Sequence, residues 1–414
     1  MRVITASIVD PILAGTPLVD IAGSTGTLFA HGGRGIVGLG HALSVPIDTA
    51  VATLSEIPHV DLRDPTERTG PGVGALAIGS IGFLPSAPAT LTVPRLCIAD
   101  DGEGHRYISV VDDGIDDEPS TVIQRSLAEI VVHPAPIPTA SSYRVEPVVD
   151  IDHYLRAVTV ARDAVRDGHL DKAVIARPII VTADRPMDLH AIGRRLESTF
   201  GSTYRFSIDG FIGASPELLV EVDGAIVRSR PLAGTTRTSG DPEIDARLAD
   251  ELMQSDKNRI EHRAAIEMVR ETLLPHCSYL DWTPRPAIVK VANVQHLGSE
   301  AEGMLSDPAA TVVELLRDLQ PTPAVGGHPR HIALELIAEH EGFERGLYGG
   351  AVGWVDGNGD GTWAVALRCA EFSDDRQSAR LVAGGGIVAD SDPIAELAET
   401  QAKFQAMLGA IIRP

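Results

Sequence analysis

Positive charge is scarce in this chain. Its 35 Lys and Arg face 57 Asp and Glu, a formal net charge of −22. That balance argues against holding nucleic acid or an anionic membrane through a broad basic surface. A local positive site for a small anion stays open. Cysteine is scarce as well: Cys97, Cys277 and Cys369 are odd in number, far apart and form no CxxC pair. A disulfide framework or zinc site is not expected from such spacing. No apolar run reaches the about 18 residues that a membrane-spanning helix needs, and "MRVITASIVDPILAG" lacks a proper apolar signal segment. These absences together predict a cytoplasmic chain in a reducing compartment, neither secreted nor membrane-spanning.

What is present is the material of a large globular protein. The 414 residues are 44% hydrophobic and 22% charged, enough to bury a sizeable core. Residues 1–145 are rich in Gly, Pro, Thr and Val, with short strand-like pieces: "GTLFA", "GALAIGSIGFL", "TLTVPRLCIAD", "YISVVDD" and "EIVVHP". "HPAPIPTASSY" (133–143) reads as a linker. Beyond it, strand and helix signals alternate. Asp241-Pro242, Asp307-Pro308 and Asp392-Pro393 each read as an Asp N-cap followed by Pro at the first helical position. The first helix is expected over about 242–274, with room for a break; the second should stop at Gln320, and the third should run nearly to the end. "LYGGAVGWVDGNGDGTWAVALRCAEF" has a hairpin pattern, with Trp354 and Trp363 flanking the turn.

Two motifs invite chemistry and do not earn it. Gly33 to Gly38 spells GxGxxG, but no helix can open there before Pro46, so a twisted hairpin is expected. "DGNGDG" (356–361) imitates a calcium loop, but Leu367 stands where a bidentate Glu belongs. A tight turn fits better. The carboxylates say more. Glu396, Glu399 and Lys403 share one face of the last helix, away from the stripe Leu397, Phe404, Leu408 and Ile411. Glu261 follows Asn258 by one turn in the long helix. Taken alone, each reads first as a solvated helix face; a hard cation such as magnesium would use one or two such carboxylates. "GASPELLVEV" sets Glu217 at a Ser-Pro turn before a strand, and "RSRPLAGTTR" reads as a Gly-Thr turn suited to a carboxylate ligand. Lys172 opens the apolar run "DKAVIARPIIV", where a lysine must either reach water or be held for its chemistry.

In this order, "KAVIAR", "GASPELL", "PLAGTTR", "DKNRIEH", "VQHLGS", "PTPAVGGHP", "LYGGAVGW", "VALRCA" and "AGGGIVADSDPIAELAETQAKFQAM" resemble the chorismate-utilising enzymes, the family of anthranilate synthase component I. The likeness covers about 171–408; residues 1–145 match loosely. It implies an α+β fold: a large, mainly antiparallel, two-layered β-sheet arrangement with outer helices and the active site in the cleft between layers. The N-terminal part (1–145) would share one fold unit with the chorismate-binding catalytic region (146–414).

The resemblance also implies roles. Lys172 matches the general base that takes a proton from water attacking C2 of chorismate. Burial would have to depress its pKa. Glu217 matches the general acid that protonates the departing 4-hydroxyl. Glu261 and Glu399 match direct Mg²⁺ ligands, and Glu396 a ligand through water. Asn258 stands where an acidic water-mediated ligand is usual, which puts metal affinity in doubt. Gly234 and Thr235 would help hold the ring carboxylate. Arg368 and Tyr348 match the groups on the enolpyruvyl carboxylate, with Gly384, Gly385 and Gly386 allowing close backbone approach. His296 and Lys403 match further active-site positions. Ala324, in "PTPAVGGHP", stands where lyase members carry threonine. The stretch therefore resembles the isochorismate synthase branch. Salicylate synthase and an inactive chorismate-binding homologue are the alternatives. A monomer acting on a small molecule is implied.

Overall fold

The computed structural model describes the chain except residues 67–69, 71, 85, 115–116, 137–140, 292–293 and 414. The described strands form sheets of thirteen, nine and three strands. Pairing is antiparallel throughout, apart from Val3–Thr5 against His59–Asp61. The two large sheets face each other, as the family resemblance implies. Phe29, Phe206 and Ile36 of the first pack in one cluster with Ile78, Val352 and Ala364 of the second.

N-terminal strands are built into both sheets. Thr27–His31 pairs with Tyr204–Ile208, with Phe29 opposite Phe206. Leu76–Ile81 pairs with Ala351–Asp356, with Gly79 opposite Gly353. The GxGxxG stretch lies in the hairpin Thr27–His31 and Arg34–Leu39. The "DGNGDG" stretch is the turn between Ala351–Asp356 and Gly361–Val365, with Trp363 opposite Gly353.

The helix signals hold at two of three sites. Asp241 accepts from the Glu243 and Ile244 amides and starts Pro242–Gln254. The predicted break falls at Ser255, whose hydroxyl caps Asp256–Leu273. Asp392 caps Pro393–Ile412, which lies along the strand Ser378–Ile387. The Asp307-Pro308 expectation is wrong. That helix is Val312–Leu319, and Thr311 and Glu314 form a reciprocal capping box at its start. The box ties both ends of the first turn, Thr311 to the Glu314 amide and Glu314 back to the Thr311 amide. Its end at Gln320 is as expected.

Two further expectations fail. "EIVVHP" is not a strand: it trails off the helix Pro119–Glu129, and the His133 amide donates to the Asp20 carbonyl at 2.8 Å. Pro134 and Pro136 leave too few donors for a ladder. The Gly-Thr part of "RSRPLAGTTR" is not a turn but lies in a strand, Leu232–Arg237, with a bulge between Ala233 and Thr235. Of the expected linker, residues 137–140 lie outside the described residues.

Trp363 is 0% exposed in the main core cluster. Trp363→Ala is expected to cost about 3–5 kcal/mol, the usual range for emptying a large aromatic site. Denaturant titration measures it; a loss below about 1 kcal/mol would contradict this packing.

Candidate active site

A cavity of about 90 Å³, many times the ~10–15 Å³ that one water needs, opens between the first sheet and the bulged strand Leu232–Arg237. Its floor is the pair of strands Lys172–Ala183 and Ser378–Ile387, in which Val174, Ile175 and Ala176 stand opposite Gly386, Gly385 and Gly384.

Those glycines make room for charge. A Cβ on Gly386 would collide with Glu261 Oε1 and come within 2.6 Å of Lys172 Cε. One on Gly385 would lie 2.7 Å from Glu396 Oε2 and 3.9 Å from Glu399 Oε1. The long helix and the last helix therefore bring three carboxylates to two adjacent backbone positions. Their convergence was invisible in the sequence. Lys172 is 3% exposed, as a lysine held for chemistry would be, and its Nζ lies 2.7 Å from Glu261 Oε1. That ion pair was not anticipated. Lys403 bridges Glu399 Oε1 and the Gly384 carbonyl, both at 2.7 Å. Burial works against its ammonium, but Glu399 outweighs this, and its pKa ends above the ordinary lysine value. Glu396 is buried and accepts from the Ser391 hydroxyl at 2.7 Å.

Glu217 is placed differently. It precedes the strand Leu218–Asp223 and is 2% exposed, and its Oε1 is buried with no hydrogen-bond partner. Burial pushes its carboxyl up to about 8, although the Leu232 amide, Lys172 and Arg230 all favour the charged form. At neutral pH this acid keeps its proton, which a general acid must.

The far wall is cationic. Arg368 sits at φ 50, a conformation costly for a non-glycine residue. Its Nη1 is buried without a hydrogen-bond partner, and its Nη2 lies 3.4 Å from His296 Nε2. Burial and the neighbouring Arg368 and Lys403 hold the His296 pKa well below its ordinary value, so the ring is neutral. With Nε2 facing the guanidinium, Nδ1–H donates to Thr235 Oγ1 at 3.0 Å. Tyr348 is buried, and burial raises its pKa. An unsatisfied guanidinium nitrogen beside a buried phenol suits an anionic oxygen. Gly234 carries φ +78, and a Cβ there would meet Asn258 Oδ1 at 3.1 Å.

Ala324 lines the cavity with Glu217, Gly234, Thr235, Asn258, Glu261 and His296. Tyr348, Arg368, Gly384, Gly386, Glu399 and Lys403 line it too. Lys172, Gly385 and Glu396 are not on the lining and stand directly behind it. Among the described residues, no three His, Cys, Asp or Glu side chains are grouped to hold a metal ion. The donor chemistry still fits a hard cation: carboxylates of Glu261, Glu396 and Glu399 beside the Asn258 amide, at side-chain-free backbone. Two lysines occupy those carboxylates here.

Sequence reasoning missed Glu341 and Arg345, a buried ion pair behind the cavity. Two opposite charges within the glycine-rich stretch "EGFERGLYGG", just before Tyr348, were the available signal.

The family model described as "Chorismate binding enzyme" matches residues 66–412. A Mycobacterium tuberculosis (strain H37Rv) protein that carries the name isochorismate synthase MenF is 37% identical over 383 residues, 89% of this chain and 95% of its own length. Isochorismate synthase DhbC of Bacillus subtilis is 40% identical over 281 residues, 65% of this chain and 70% of its own. The solved structure of MenF, the menaquinone-specific isochorismate synthase from Escherichia coli, superposes with a TM-score of 0.83 at 26% identity. It spans 100% of this chain and 94% of that one. With a cavity of this composition and a match over most of its length, the chain belongs to the chorismate-binding enzyme family.

Proposed function

We propose that this protein is an isochorismate synthase, an isomerase that adds water to C2 of chorismate and releases the 4-hydroxyl. The observation that carries the reading is Glu217, a buried carboxyl with a pKa of about 8 on the cavity wall. Relatives named isochorismate synthases support the branch.

Lys172 takes a proton from water as its oxygen bonds to C2. Both ring double bonds shift, from C1=C2 and C5=C6 to C1=C6 and C4=C5, and the C4–O bond breaks as Glu217 delivers its proton to the departing hydroxyl. Lys172 ends protonated and Glu217 ionised, and exchange with solvent resets both. Arg368 and Tyr348 hold the enolpyruvyl carboxylate, with the Gly384–Gly386 backbone and His296 beside them. Mg²⁺ would be held by Glu261 and Glu399 directly, and by Glu396 and Asn258 through water. When bound, it would neutralise the ring carboxylate, which Gly234 and Thr235 also approach. Ala324 leaves no hydroxyl beside the ring to promote pyruvate loss. We also propose that residues 1–145 and 146–414 act as one unit, a cytoplasmic monomer with no nucleic-acid or membrane partner.

Product analysis tests the reading. Chorismate with Mg²⁺ should give isochorismate with little pyruvate. Stoichiometric pyruvate would make the enzyme a salicylate synthase instead, and no turnover would leave a binding homologue. Lys172→Ala and Glu217→Gln should each lose ~10²–10⁴-fold in rate, the usual worth of general acid–base groups. Near-normal turnover in either would remove its assigned role. The Glu217 proton is needed, and its pKa is raised; the high-pH limb of the profile should therefore fall as pH rises through about 8, while the need for a free Lys172 amine sets the low-pH limb. A flat profile to pH 10 would contradict this role for Glu217. EDTA should abolish turnover and Mg²⁺ restore it, and Glu399→Ala should raise the Mg²⁺ requirement steeply. Metal-independent turnover would refute the metal site.

A further inference from the structure

The strand Lys172–Ala183 has an incomplete edge. On the side away from Ser378–Ile387, it pairs with His328 and Gly327 at its first two residues, and with Tyr143–Pro147 from Ile179 onward. Among the described residues, no strand covers the edge at Val174–Ala176. Side chains do so. Glu341 Oε1 accepts from the Ala176 amide at 2.7 Å, and Arg345 Nη2 donates to the Val174 carbonyl at 2.7 Å.

The same guanidinium reaches two other places. Nη1 donates to the Val325 carbonyl at 2.6 Å, and Nε donates to Glu341 Oε2 at 2.8 Å. Its face lies 4.2 Å from the Phe83 ring centroid. The side chains of Arg345 and Glu341 are 2% and 1% exposed. Burying such a pair adds little stability over apolar side chains of the same volume. What it supplies is a fixed geometry, because a planar fork satisfies its acceptors in one arrangement.

That geometry spans the cavity. Val174 and Val325 both line it, two residues from Lys172 and next to Ala324. Tyr348 lines it three residues beyond Arg345. Neither Arg345 nor Glu341 lines it.

We propose that Glu341 and Arg345 are positioning residues that lock the Lys172 strand at a set distance from the Ala324–Val325 wall, and so fix the base relative to the substrate ring. The inference rests on the isochorismate-forming reading. Turnover by the unmodified enzyme tests that reading by itself, and the variants below are scored against it.

Glu341→Gln keeps the side chain's shape and its acceptor for Ala176. Arg345→Lys keeps the charge and loses the fork. Each should fold, with kcat down about 10²-fold, the cost of a misplacement of about 1 Å, and with KM changed little. A merely structural pair would lower melting temperature and the amount of folded enzyme, not kcat per folded molecule. Unchanged kcat per folded molecule in both variants overturns the proposal. So does a rise in KM alone, or failure of both variants to fold, which would make the pair a stability element.

Discussion

The site depends on two backbones approaching without side chains between them and the helices above. Strand Ser378–Ile387 lays Gly384, Gly385 and Gly386 beside Ala176, Ile175 and Val174. At Gly385 and Gly386, the space of a missing Cβ is taken by carboxylate oxygens from two helices. One methyl group at either position would displace those carboxylates. They would then no longer converge, because Glu261 belongs to Asp256–Leu273 and Glu396 and Glu399 to Pro393–Ile412. A local backbone constraint thus sets where side chains from elements far apart in the chain can meet.

Charge in this cavity is arranged by solvation more than by count. Glu217 and Glu261 are both glutamates on the same small space. Glu261 lies against Lys172 Nζ, and Glu217 stands where burial outweighs its favourable neighbours. One is thereby suited to hold a cation and the other to give up a proton. The protein's negative charge does not oppose an anionic ligand, because Arg368 and Lys403 turn inward while the excess acid stays mostly elsewhere.

Much of this was legible because short-range rules decide it. An Asp-Pro pair sets a helix start when nothing stronger follows, as at Asp241 and Asp392. At Asp307 a stronger signal did follow: Thr311 and Glu314 spell the capping box four residues later. The Trp354–Trp363 hairpin was readable from alternation and its turn. Lys172 was recognisable as anomalous, and its burial followed from the apolar run around it. Its partner Glu261 was not, since no local pattern encodes which helix crosses which strand. The bulge at Gly234 escaped for the same reason. A Gly-Thr pair looks like a turn until its neighbour, the strand Val294–Gly298, is known to pair on both sides of it.

The N-terminal residues matched the family's motifs only loosely, yet they are built into the same sheets. Their contribution explains why. Thr27–His31 and Leu76–Ile81 extend the two sheets through backbone ladders, which ask for extended chain and alternating burial more than for particular side chains. Specific demands fall on few positions. The Gly82 and Phe83 carbonyls accept from the Gln320 amide at the end of the Val312–Leu319 helix. The Phe83 ring covers the guanidinium that joins Val174 to Val325. Residues 82–83 therefore back the cavity wall from behind, out of reach of any ligand. A segment with this role can drift in sequence while it keeps its ladders and one ring. The residues that touch the cavity, on Lys172–Ala183, Ser378–Ile387 and the helices over them, have no such freedom.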